Sequence, residues 1–376
     1  MDKKIKRSAE SYMLEAVRLA ESTACRVTPN PRTGAVVVRD QEIIGRGRHE
    51  CFGGPHAEVN AIYDAGFDVK DCDMFVTLEP CCHTGKTPPC TDRIIESGIK
   101  RVFIGMRDPN PLVAGKGVHA LQQAGIEVVE NIRHDDSLNL NQAFIKTMQN
   151  GMPYIIAKMA MTLDSFIADK NGRSQWITNT DSRKLAHQLR AEADAVLIGM
   201  GTALKDNPQL NVRDVEGEHP LRVVYDPEGM LPEDLKLVKT AREISTCVIC
   251  GPHATPAWRD RMTSLGVELI MSGELALRGL EEGLKRLSEK GINTILCEGG
   301  GKMQSMLAEL EQIDRVDCMI APMLLGRGID MMKIPERLMP DALKFVEHEW
   351  REIGSDMYFS GILKKYKVDH KGSADV

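Results

Sequence analysis

The chain has 376 residues with 54 acidic and 48 basic side chains, and 42% of its residues are hydrophobic. This length predicts two domains, and the net charge of −6 gives no reason to expect a nucleic-acid partner. The first residues lack the apolar core of a signal peptide, and no run reaches the roughly 18 apolar residues of a membrane span. Ten cysteines in such a chain are typical of reduced thiols and metal ligands, so we expect a cytoplasmic protein with no membrane partner.

Strands and helices alternate over the first part of the chain. Periodicity predicts helices over 8–24, 91–97, 117–124 and 138–148, and strands over 34–38, 43–48, 74–78, 101–105 and 126–129. Pro55 is predicted to open a further helix, since proline tolerates the first helical position. His56 and Glu58 would then lie in its first turn. This alternation is typical of a layered α/β domain.

The first clear break in these patterns is Asn150-Gly151-Met152-Pro153, so we expect domains of 1–149 and 150–376. A second α/β pattern follows the break. It predicts strands over 154–159, 195–199, 221–225, 246–250 and 294–297, and helices over 181–192, 277–290 and 302–310. The last residues, 365–376, are polar and are expected to fray.

The residues that can carry chemistry in the first domain fall into two short motifs. His56 and Glu58 form an H-x-E pair, Cys81 directly follows Pro80, and eight residues separate Cys81 from Cys90. One imidazole and two thiolates suit Zn²⁺, and three protein ligands leave a fourth position for water. Such an ion lowers the pKa of water from about 15.7 to near 7. An H-x-E pair followed by P-C is typical of zinc deaminases, in which the glutamate carries protons and is not a ligand.

Other readings of these thiols remain open. Cys82 could replace its neighbour Cys81 as a ligand, and His83 could close the site as a fourth ligand. The cysteines could also form a closed structural zinc site or a redox cluster. Glu58, two residues after His56, favours an open catalytic site.

Two glycine-rich turns follow predicted strands in the second domain. Glu298-Gly299-Gly300-Gly301-Lys302 joins a strand to a helix, where backbone amides can approach a phosphate. Its spacing fits neither a Walker loop nor the dinucleotide fingerprint. Gly199-Met200-Gly201-Thr202 is a second such turn. Together they predict a ligand site, because open α/β sheets bind ligands at the carboxyl ends of their strands; tight structural turns are the alternative.

Several motifs resemble the bifunctional deaminase–reductase family of riboflavin biosynthesis. The extended spacing that ends in Thr87-Pro88-Pro89-Cys90 is similar to its deaminase half. The reductase half is matched by Met161-Thr162-Leu163-Asp164-Ser165, Ser174-Gln175-Trp176-Ile177-Thr178, Asp206-Asn207-Pro208, Glu298-Gly299-Gly300-Gly301 and Ala321-Pro322-Met323-Leu324-Leu325-Gly326. The resemblance runs over about 8–364. It departs at Thr28, Ser165 and Arg173, none of which carries chemistry assigned here.

This resemblance implies a cytidine-deaminase-like three-layer α/β/α domain followed by a dihydrofolate-reductase-like α/β domain. It implies one Zn²⁺ per chain, NADPH, and a small-molecule pyrimidine ribose phosphate as substrate. The first reaction would be hydrolytic deamination of 2,5-diamino-6-(5-phosphoribosylamino)pyrimidin-4(3H)-one to 5-amino-6-(5-phosphoribosylamino)uracil. The second would reduce the ribosyl group to a ribityl chain. We also expect a homo-oligomer, either a dimer or a tetramer.

Site residues are assigned in both domains. Glu58 would take a proton from water and later protonate the departing ammonia, with His56, Cys81 and Cys90 as metal ligands. We expect the base and the phosphate to contact Asn30, His49 and Lys86, for which a turn or solvated surface position is the alternative. By resemblance, NADPH lies along Ala160, Trp176, Thr202, Asp206, Gly300, Gly301, Lys302 and Met303. The reductase substrate would contact Lys158, Ser174, Thr178, Arg190, Leu210, Arg213 and Glu298, the two arginines holding its phosphate.

Structural alternatives exist for two of these residues, since Arg190 could be a helix surface charge and Trp176 could be core packing. At the level of function, a nucleoside or tRNA zinc deaminase with a non-catalytic nucleotide-binding second domain would explain His56 and Glu58. It would leave the motifs of the second domain without a function. A structural or binding protein, in which zinc only stabilises the fold, is a further alternative.

Overall fold

The structure is a computed structural model that describes residues 8–23, 26–83, 88–110 and 113–368. The chain divides into two compact units, one made of Met1–Asn150 with Tyr366–Val376 and the other of Gly151–Lys365. Within the described ranges, none of the helices combines the length and the apolar character needed to cross a bilayer.

The described part of the first unit contains a five-stranded sheet in the order β2-β1-β3-β4-β5. Its strands are β1 (Gly34–Arg39), β2 (Glu42–Arg48), β3 (Asp73–Leu78), β4 (Arg101–Met106) and β5 (Glu127–Val129). Strand β1 is antiparallel to β2 and β3, whereas β3, β4 and β5 are parallel. The helices are α1 (Ala9–Glu21), α2 (Ala57–Asp64), α3 (Cys90–Glu96), α4 (Lys116–Gln123), α5 (His134–Leu140) and α6 (Gln142–Asn150).

The side chains of β1 serve two hydrophobic cores. Ala35 and Val37 pack with residues of α2, α3 and α4, and Val36 and Val38 pack with residues of α1. Successive side chains of a strand point to opposite faces of the sheet. The continuous apolar run therefore builds the predicted three-layer α/β/α arrangement.

Two glycines of β2 bring α2 close to the sheet. A Cβ atom at Gly47 would lie 2.1 Å from the carbonyl oxygen of Ala57, and one at Gly45 would lie 2.2 Å from that of Ala61. A side chain at either position would push the helix away. Because α2 begins directly after His56, this packing determines where the imidazole lies.

Two predicted helix limits in this unit are wrong. Pro55 does not occupy the first helical position, because His56 is the extended N-cap residue and α2 begins at Ala57. The helix predicted over 138–148 is instead α5 and α6, which are separated at Asn141. The Asn141 side chain exchanges hydrogen bonds of 2.9 and 3.0 Å with the backbone of Arg32. This tertiary contact joins positions far apart in the sequence, which local periodicity cannot indicate.

The segment 366–368 packs against the first unit and is not frayed as expected. Gln142 exchanges hydrogen bonds of 2.9 and 2.7 Å with the backbone of Tyr366. Val368 is buried in a cluster with Leu138 and Ile145. Residues 369–376 lie outside the described ranges, and the domain limits of 1–149 and 150–376 stay a prediction.

In the second unit, the described residues form a nine-stranded sheet in the order β11-β10-β9-β8-β12-β6-β13-β16-β15 and a two-stranded sheet of β14 and β7. The strands are β6 (Tyr154–Thr162), β7 (Phe166–Asp169), β8 (Ala195–Gly199), β9 (Leu221–Asp226), β10 (Thr246–Cys250), β11 (Glu268–Met271), β12 (Thr294–Cys297), β13 (Ile313–Ala321), β14 (Gly328–Asp330), β15 (Glu347–Ile353) and β16 (Asp356–Ile362). The first seven strands in this spatial order, from β11 through β6 to β13, are parallel to one another. Strand β16 pairs antiparallel with β13, and β15 pairs antiparallel with β16.

The helices of this unit are α7 (Thr180–Glu192), α8 (Met200–Asp206), α9 (Lys236–Lys239), α10 (Pro256–Ser264), α11 (Ala276–Glu289) and α12 (Gly301–Glu309), with a 3₁₀ turn at Met339–Asp341. Helix α11 shows why they pack on the sheet. Leu280, Leu284 and Leu287 recur at helical spacing and are fully buried.

Strands β7, β11 and β13 to β16 and helices α8, α9 and α10 lie outside the sequence predictions. Strand β15 is exposed along most of its length, so its hydrophobic pattern is weak. In β13 the pattern is interrupted by two fully buried aspartates, Asp314 and Asp317. Asp314 accepts a 2.7 Å hydrogen bond from the backbone N–H of Ile155, a tertiary contact that makes its burial possible.

Candidate functional site

Three side chains that could hold a metal meet in the first unit. His56 is the N-cap residue of α2, Cys81 follows β3, and Cys90 begins α3. The Nδ1 atom of His56 lies 3.2 Å from Sγ of Cys90 and 3.5 Å from Sγ of Cys81. All three ligand atoms lie within 4.8 Å of one another. The structure thus brings together the predicted set of one nitrogen and two sulfur donors.

The donor chemistry of this cluster fits Zn²⁺, which takes imidazole and thiolate ligands tetrahedrally. Among the described residues, neither Cys82 nor His83 belongs to the cluster. His83 instead lines a cavity of about 360 Å³ beside it, together with His56 and Cys81. Three donors next to a cavity match an open site better than a closed structural one.

The two thiols differ in their affinity for a proton. The hydrogen bond between the two thiols, together with the interaction of Cys81 with His56, lowers the pKa of Cys81 to about 4. The same pairing, aided by burial, raises the pKa of Cys90. The backbone N–H of Cys90 also donates to Sγ of Cys81 over 3.4 Å. A thiolate beside an imidazole is the environment expected of a metal ligand.

Glu58 lies in the first turn of α2 and lines the same cavity. Only 3% of the residue is exposed, and its Oε2 atom has no hydrogen-bond partner among the described residues. Burial, followed by the charge of Cys81, raises the pKa of this carboxyl to about 7. A carboxyl of this kind can accept and return a proton near neutral pH.

Asn30 and His49 line the cavity as one hydrogen-bonded pair. Asn30 Nδ2 lies 3.0 Å from His49 Nε2, and His49 Nδ1 lies 3.0 Å from the carbonyl oxygen of Pro55. His49 is buried, so the alternative of a solvated surface position is wrong for it. Burial lowers the pKa of its imidazole. The third candidate, Lys86, lies outside the described residues.

Besides Thr33 and Glu79, sequence reasoning missed two polar residues that line this cavity, Asp108 and Asn110. They follow β4, which is parallel to β3. Their loop is held by Glu79, a buried carboxylate that accepts backbone hydrogen bonds from Asp108, Gly115, Gly117 and Val118 at 2.9 to 3.2 Å. Polar residues directly after a strand of a parallel pair were the signal that could have revealed them.

A second cavity, of about 540 Å³, lies within the other unit. Most of the residues predicted for the reductase half line it: Lys158, Ala160, Ser174, Trp176, Arg190, Thr202, Asp206, Leu210, Arg213, Glu298 and Gly300. Thr178, Gly301, Lys302 and Met303 are not among the lining residues. Met303 is buried in the core directly beneath the glycine turn, where Gly199 and Gly299 pack against it.

The two glycine turns meet at one edge of the sheet. Strands β8 and β12 are parallel neighbours, and each ends in one of the turns. The backbone N–H of Gly300 donates a 3.1 Å hydrogen bond to the hydroxyl of Thr202. A Cβ atom at Gly201 would contact nothing within 4 Å, so open space adjoins the backbone. This arrangement fits a phosphate-bearing dinucleotide.

A buried charge cluster forms the base of this cavity. Arg190 donates two hydrogen bonds to the Glu298 carboxylate, one of them at 2.9 Å, and Lys158 Nζ lies 3.7 Å from the same group. Burial opposes ionisation of Glu298, but the charges of Arg190 and Lys158 outweigh it and lower the pKa to about 2. The third donor of Arg190 goes to the carbonyl oxygen of Asn211. Arg190 is therefore no surface charge, and its guanidinium is already partnered.

The indole of Trp176 presents a flat surface to the cavity. The residue is 65% exposed, so the alternative of core packing is wrong. The guanidinium carbon of Arg183 lies 4.6 Å from the ring centroid and covers one face. Arg183 and Lys236 both line the cavity and were missed, since isolated basic residues give no sequence signal.

Comparisons with known proteins agree with this two-part arrangement. The family model of the RibD C-terminal domain matches residues 153–359, and that of the cytidine and deoxycytidylate deaminase zinc-binding region matches 6–106. The riboflavin biosynthesis protein RibD of Aquifex aeolicus is 40% identical over 358 residues, which are 95% of this chain and 98% of the relative. The RibD of Escherichia coli is 36% identical, covering 93% and 97%.

Solved structures give the same result. RibD of Acinetobacter baumannii has a TM-score of 0.85 at 35% identity, covering 94% of this chain and 98% of that one. A diaminohydroxyphosphoribosylaminopyrimidine deaminase/5-amino-6-(5-phosphoribosylamino)uracil reductase of Thermotoga maritima has a TM-score of 0.82 at 38% identity, with the same coverage. The chain belongs to the RibD family of riboflavin biosynthesis proteins, which join a zinc-binding deaminase domain to a reductase domain.

Proposed function

We propose that this chain performs both family reactions. It deaminates 2,5-diamino-6-(5-phosphoribosylamino)pyrimidin-4(3H)-one and then reduces the ribosyl group of the product with NADPH. The observation that carries the proposal is the pairing of two sites in one chain. A His–Cys–Cys donor set lies beside a buried carboxyl in one unit, and a cavity with two glycine turns lies in the other.

In the deaminase domain, we assign His56, Cys81 and Cys90 as the ligands of one Zn²⁺. The bound ion would supply a nucleophile at neutral pH by lowering the pKa of water. Glu58 would accept one proton of that water and pass it to a ring nitrogen. It would then take the remaining proton from the hydroxyl group that the attack leaves on the ring carbon and deliver it to the departing ammonia, a role that its buried carboxyl suits. Asn30 and His49, which line the same cavity as a hydrogen-bonded pair, hold the base.

In the reductase domain, bound NADPH would supply a hydride to the ribosyl C1′, while the bond between C1′ and the ring oxygen breaks and that oxygen takes up a proton. Gly300 and Thr202 hold its phosphates, and the exposed indole of Trp176 offers a stacking surface. Arg213 binds the substrate phosphate, because it is half exposed while Arg190 is engaged by Glu298. The cluster of Lys158, Arg190 and Glu298 orients the sugar hydroxyls.

The test supplies the diaminopyrimidinone ribose phosphate to the purified chain with and without NADPH. We expect ammonia in both cases and oxidation of NADPH only after the deaminated product forms. Ammonia release without any NADPH oxidation, even from added 5-amino-6-(5-phosphoribosylamino)uracil, would favour a simple deaminase with a non-catalytic second domain. The lined second cavity argues against that alternative.

We also propose that the chain forms a homodimer through the second unit. The edge strand β15 and the segment before it expose large apolar side chains, including Leu338, Met339, Val346 and Trp350. A second copy that covered them would remove this apolar area from water. Light scattering should show a dimer for the wild type and a monomer for Trp350→Glu. The control Met230→Glu, which changes an exposed apolar residue outside this surface, should remain a dimer. The compartment we propose is the cytoplasm, where Cys81 and Cys90 stay reduced.

A further inference from the structure

The second cavity contains more positive charge than the assigned contacts use. Five basic residues line it: Lys158, Arg183, Arg190, Arg213 and Lys236. Four of them have partners: Lys158 and Arg190 contact Glu298, Arg183 lies over Trp176, and Arg213 donates to the side chain of Asn211 over 3.1 Å. Within the described part of the chain, the ammonium of Lys236 has neither a hydrogen-bond nor an ion-pair partner.

The backbone of Lys236 is held firmly although its side chain is exposed. Lys236 is the first residue of the short helix α9, and its N–H donates a 2.8 Å hydrogen bond to the side chain of Asn207. Asn207 lines the same cavity at the end of α8. Leu237 and Val238, the next two residues, are buried. The cavity wall therefore presents the lysine from a fixed position.

Arg222 in β9 braces this wall from behind. It is fully buried, and its guanidinium donates to the carbonyl oxygens of Gln209, Leu237 and Thr240 at 3.1 to 3.2 Å. Gln209 belongs to a segment that lines the cavity. Leu237 lies within α9, and Thr240 directly follows it. One side chain thus joins the two segments that carry Asn207 and Lys236. Burying the charge of an arginine costs desolvation free energy, so its many backbone contacts indicate that it holds these segments in position.

We propose that Lys236 is a phosphate-binding residue of the reductase site, held in place by Asn207 and Arg222. The inference rests on the proposed reaction, in which both molecules that share the cavity carry phosphate groups. Asp206 adds negative charge to the cavity, and Glu298 already engages Lys158 and Arg190, so two phosphate-bearing molecules need a cation besides Arg213. A free ammonium on a fixed wall supplies that charge at low cost in reorganisation.

The test compares Lys236→Gln with wild type and with Lys239→Gln. Lys239 is the matched control, since it lies on the same helix, is exposed and does not line the cavity. Steady-state KM is measured for NADPH, for NADH and for 5-amino-6-(5-phosphoribosylamino)uracil, with NADPH binding followed by fluorescence. The reductase kcat and thermal unfolding followed by circular dichroism report whether the second unit of each variant is folded.

We expect Lys236→Gln to raise the KM of the molecule whose phosphate it binds by about tenfold, the size of one charge-assisted hydrogen bond, with kcat unchanged. A rise for NADPH alone assigns the contact to the 2′-phosphate, a rise for NADPH and NADH to the pyrophosphate, and a rise for the uracil to the sugar phosphate. Equal KM and binding values for Lys236→Gln and wild type overturn the inference, as does an equal effect of Lys239→Gln. A wild-type chain that binds NADPH without oxidising it contradicts the proposed function instead.

Discussion

The positions of His56 and Glu58 at the start of α2 give them different roles in the first site. His56 is the extended N-cap residue and Glu58 is the second residue of the helix, so their side chains do not face the same way. The imidazole joins the thiols, and the carboxyl turns into a buried environment that keeps its proton affinity high. A metal ligand and a proton carrier can therefore be only two residues apart.

Replacing Glu58 tests the second of these roles. We expect Glu58→Gln to lower the rate of ammonia release by about 10²- to 10⁴-fold, the usual contribution of a general acid–base group. Zinc content should stay at that of wild type, because Glu58 is not in the donor cluster. Ammonia assays and elemental analysis measure the two quantities. Retained activity would show that another group carries the proton.

The neighbouring thiols Cys81 and Cys82 provide a matched pair for the ligand assignment. Cys81→Ser should lose zinc and ammonia release together, since serine is a poor zinc ligand at neutral pH. Cys82→Ser should keep both, because Cys82 is not in the cluster. Zinc is measured after dialysis against a weak chelator. Loss of zinc from the Cys82 variant alone would reverse the assignment.

At the scale of elements, buried carboxylates fasten loops to strand ends. Glu79, which follows β3, accepts hydrogen bonds from four backbone N–H groups, two in the loop before α4 and two in the first turn of α4. Glu298, which follows β12, forms ion pairs with Arg190 of α7 and Lys158 of β6. In each case a charge at a strand end positions the residues that line a cavity.

Glu79→Gln should weaken the loop that carries Asp108 and Asn110. The amide would place N–H groups where the carboxylate now accepts hydrogen bonds, which costs about 2 kcal/mol of unfolding free energy. We expect a higher KM for deamination with unchanged zinc content, measured alongside thermal unfolding. An unchanged KM would mean that this loop does not contact the substrate.

The charge cluster of Glu298 predicts a pH dependence of stability. Its pKa of about 2 in the folded chain lies below the ordinary value of 4.5, so its contribution is fully present above pH 4.5 and is lost as the pH falls towards 2. Denaturant unfolding should show a weaker pH dependence in this window for Glu298→Gln than for wild type. The exposed Glu349→Gln is the control, and identical slopes for all three proteins would contradict the prediction.

At the scale of the whole molecule, the described residues place one candidate site in each of the two compact units, and each site has its own cavity and its own chemistry. The donors of the metal site and the glycine turns of the other cavity belong to different units. The two reactions should therefore respond separately to loss of a cofactor.

Removal of zinc tests this separation. Treatment with a strong chelator should abolish ammonia release, because the metal supplies the nucleophile. Oxidation of NADPH with 5-amino-6-(5-phosphoribosylamino)uracil should continue at its original rate, and added Zn²⁺ should restore deamination. Loss of both activities with intact folding by circular dichroism would show that the reductase also depends on the metal.

Much of the fold could be predicted because local patterns dictate it. The β-branched apolar run that ends at Val38 predicts the buried strand that the structure shows, and the leucines of α11 recur at helical spacing. Strand β13 was missed, since the buried Asp314 and Asp317 interrupt its apolar pattern. Asp314 is paired with the backbone of Ile155, which lies far away in the sequence, whereas Asp317 is paired with Arg315 of the same strand.

The sequence by itself determined the type of chemistry, because the residue types and spacing of His56, Glu58, Cys81 and Cys90 depend on short stretches of chain. Only the tertiary structure decided which residues surround that chemistry. Asn141 divides a predicted helix through Arg32, and Glu298 engages the arginine that was expected to hold phosphate. These contacts join positions that are far apart in the sequence, and they form only when the sheets bring the strand ends together.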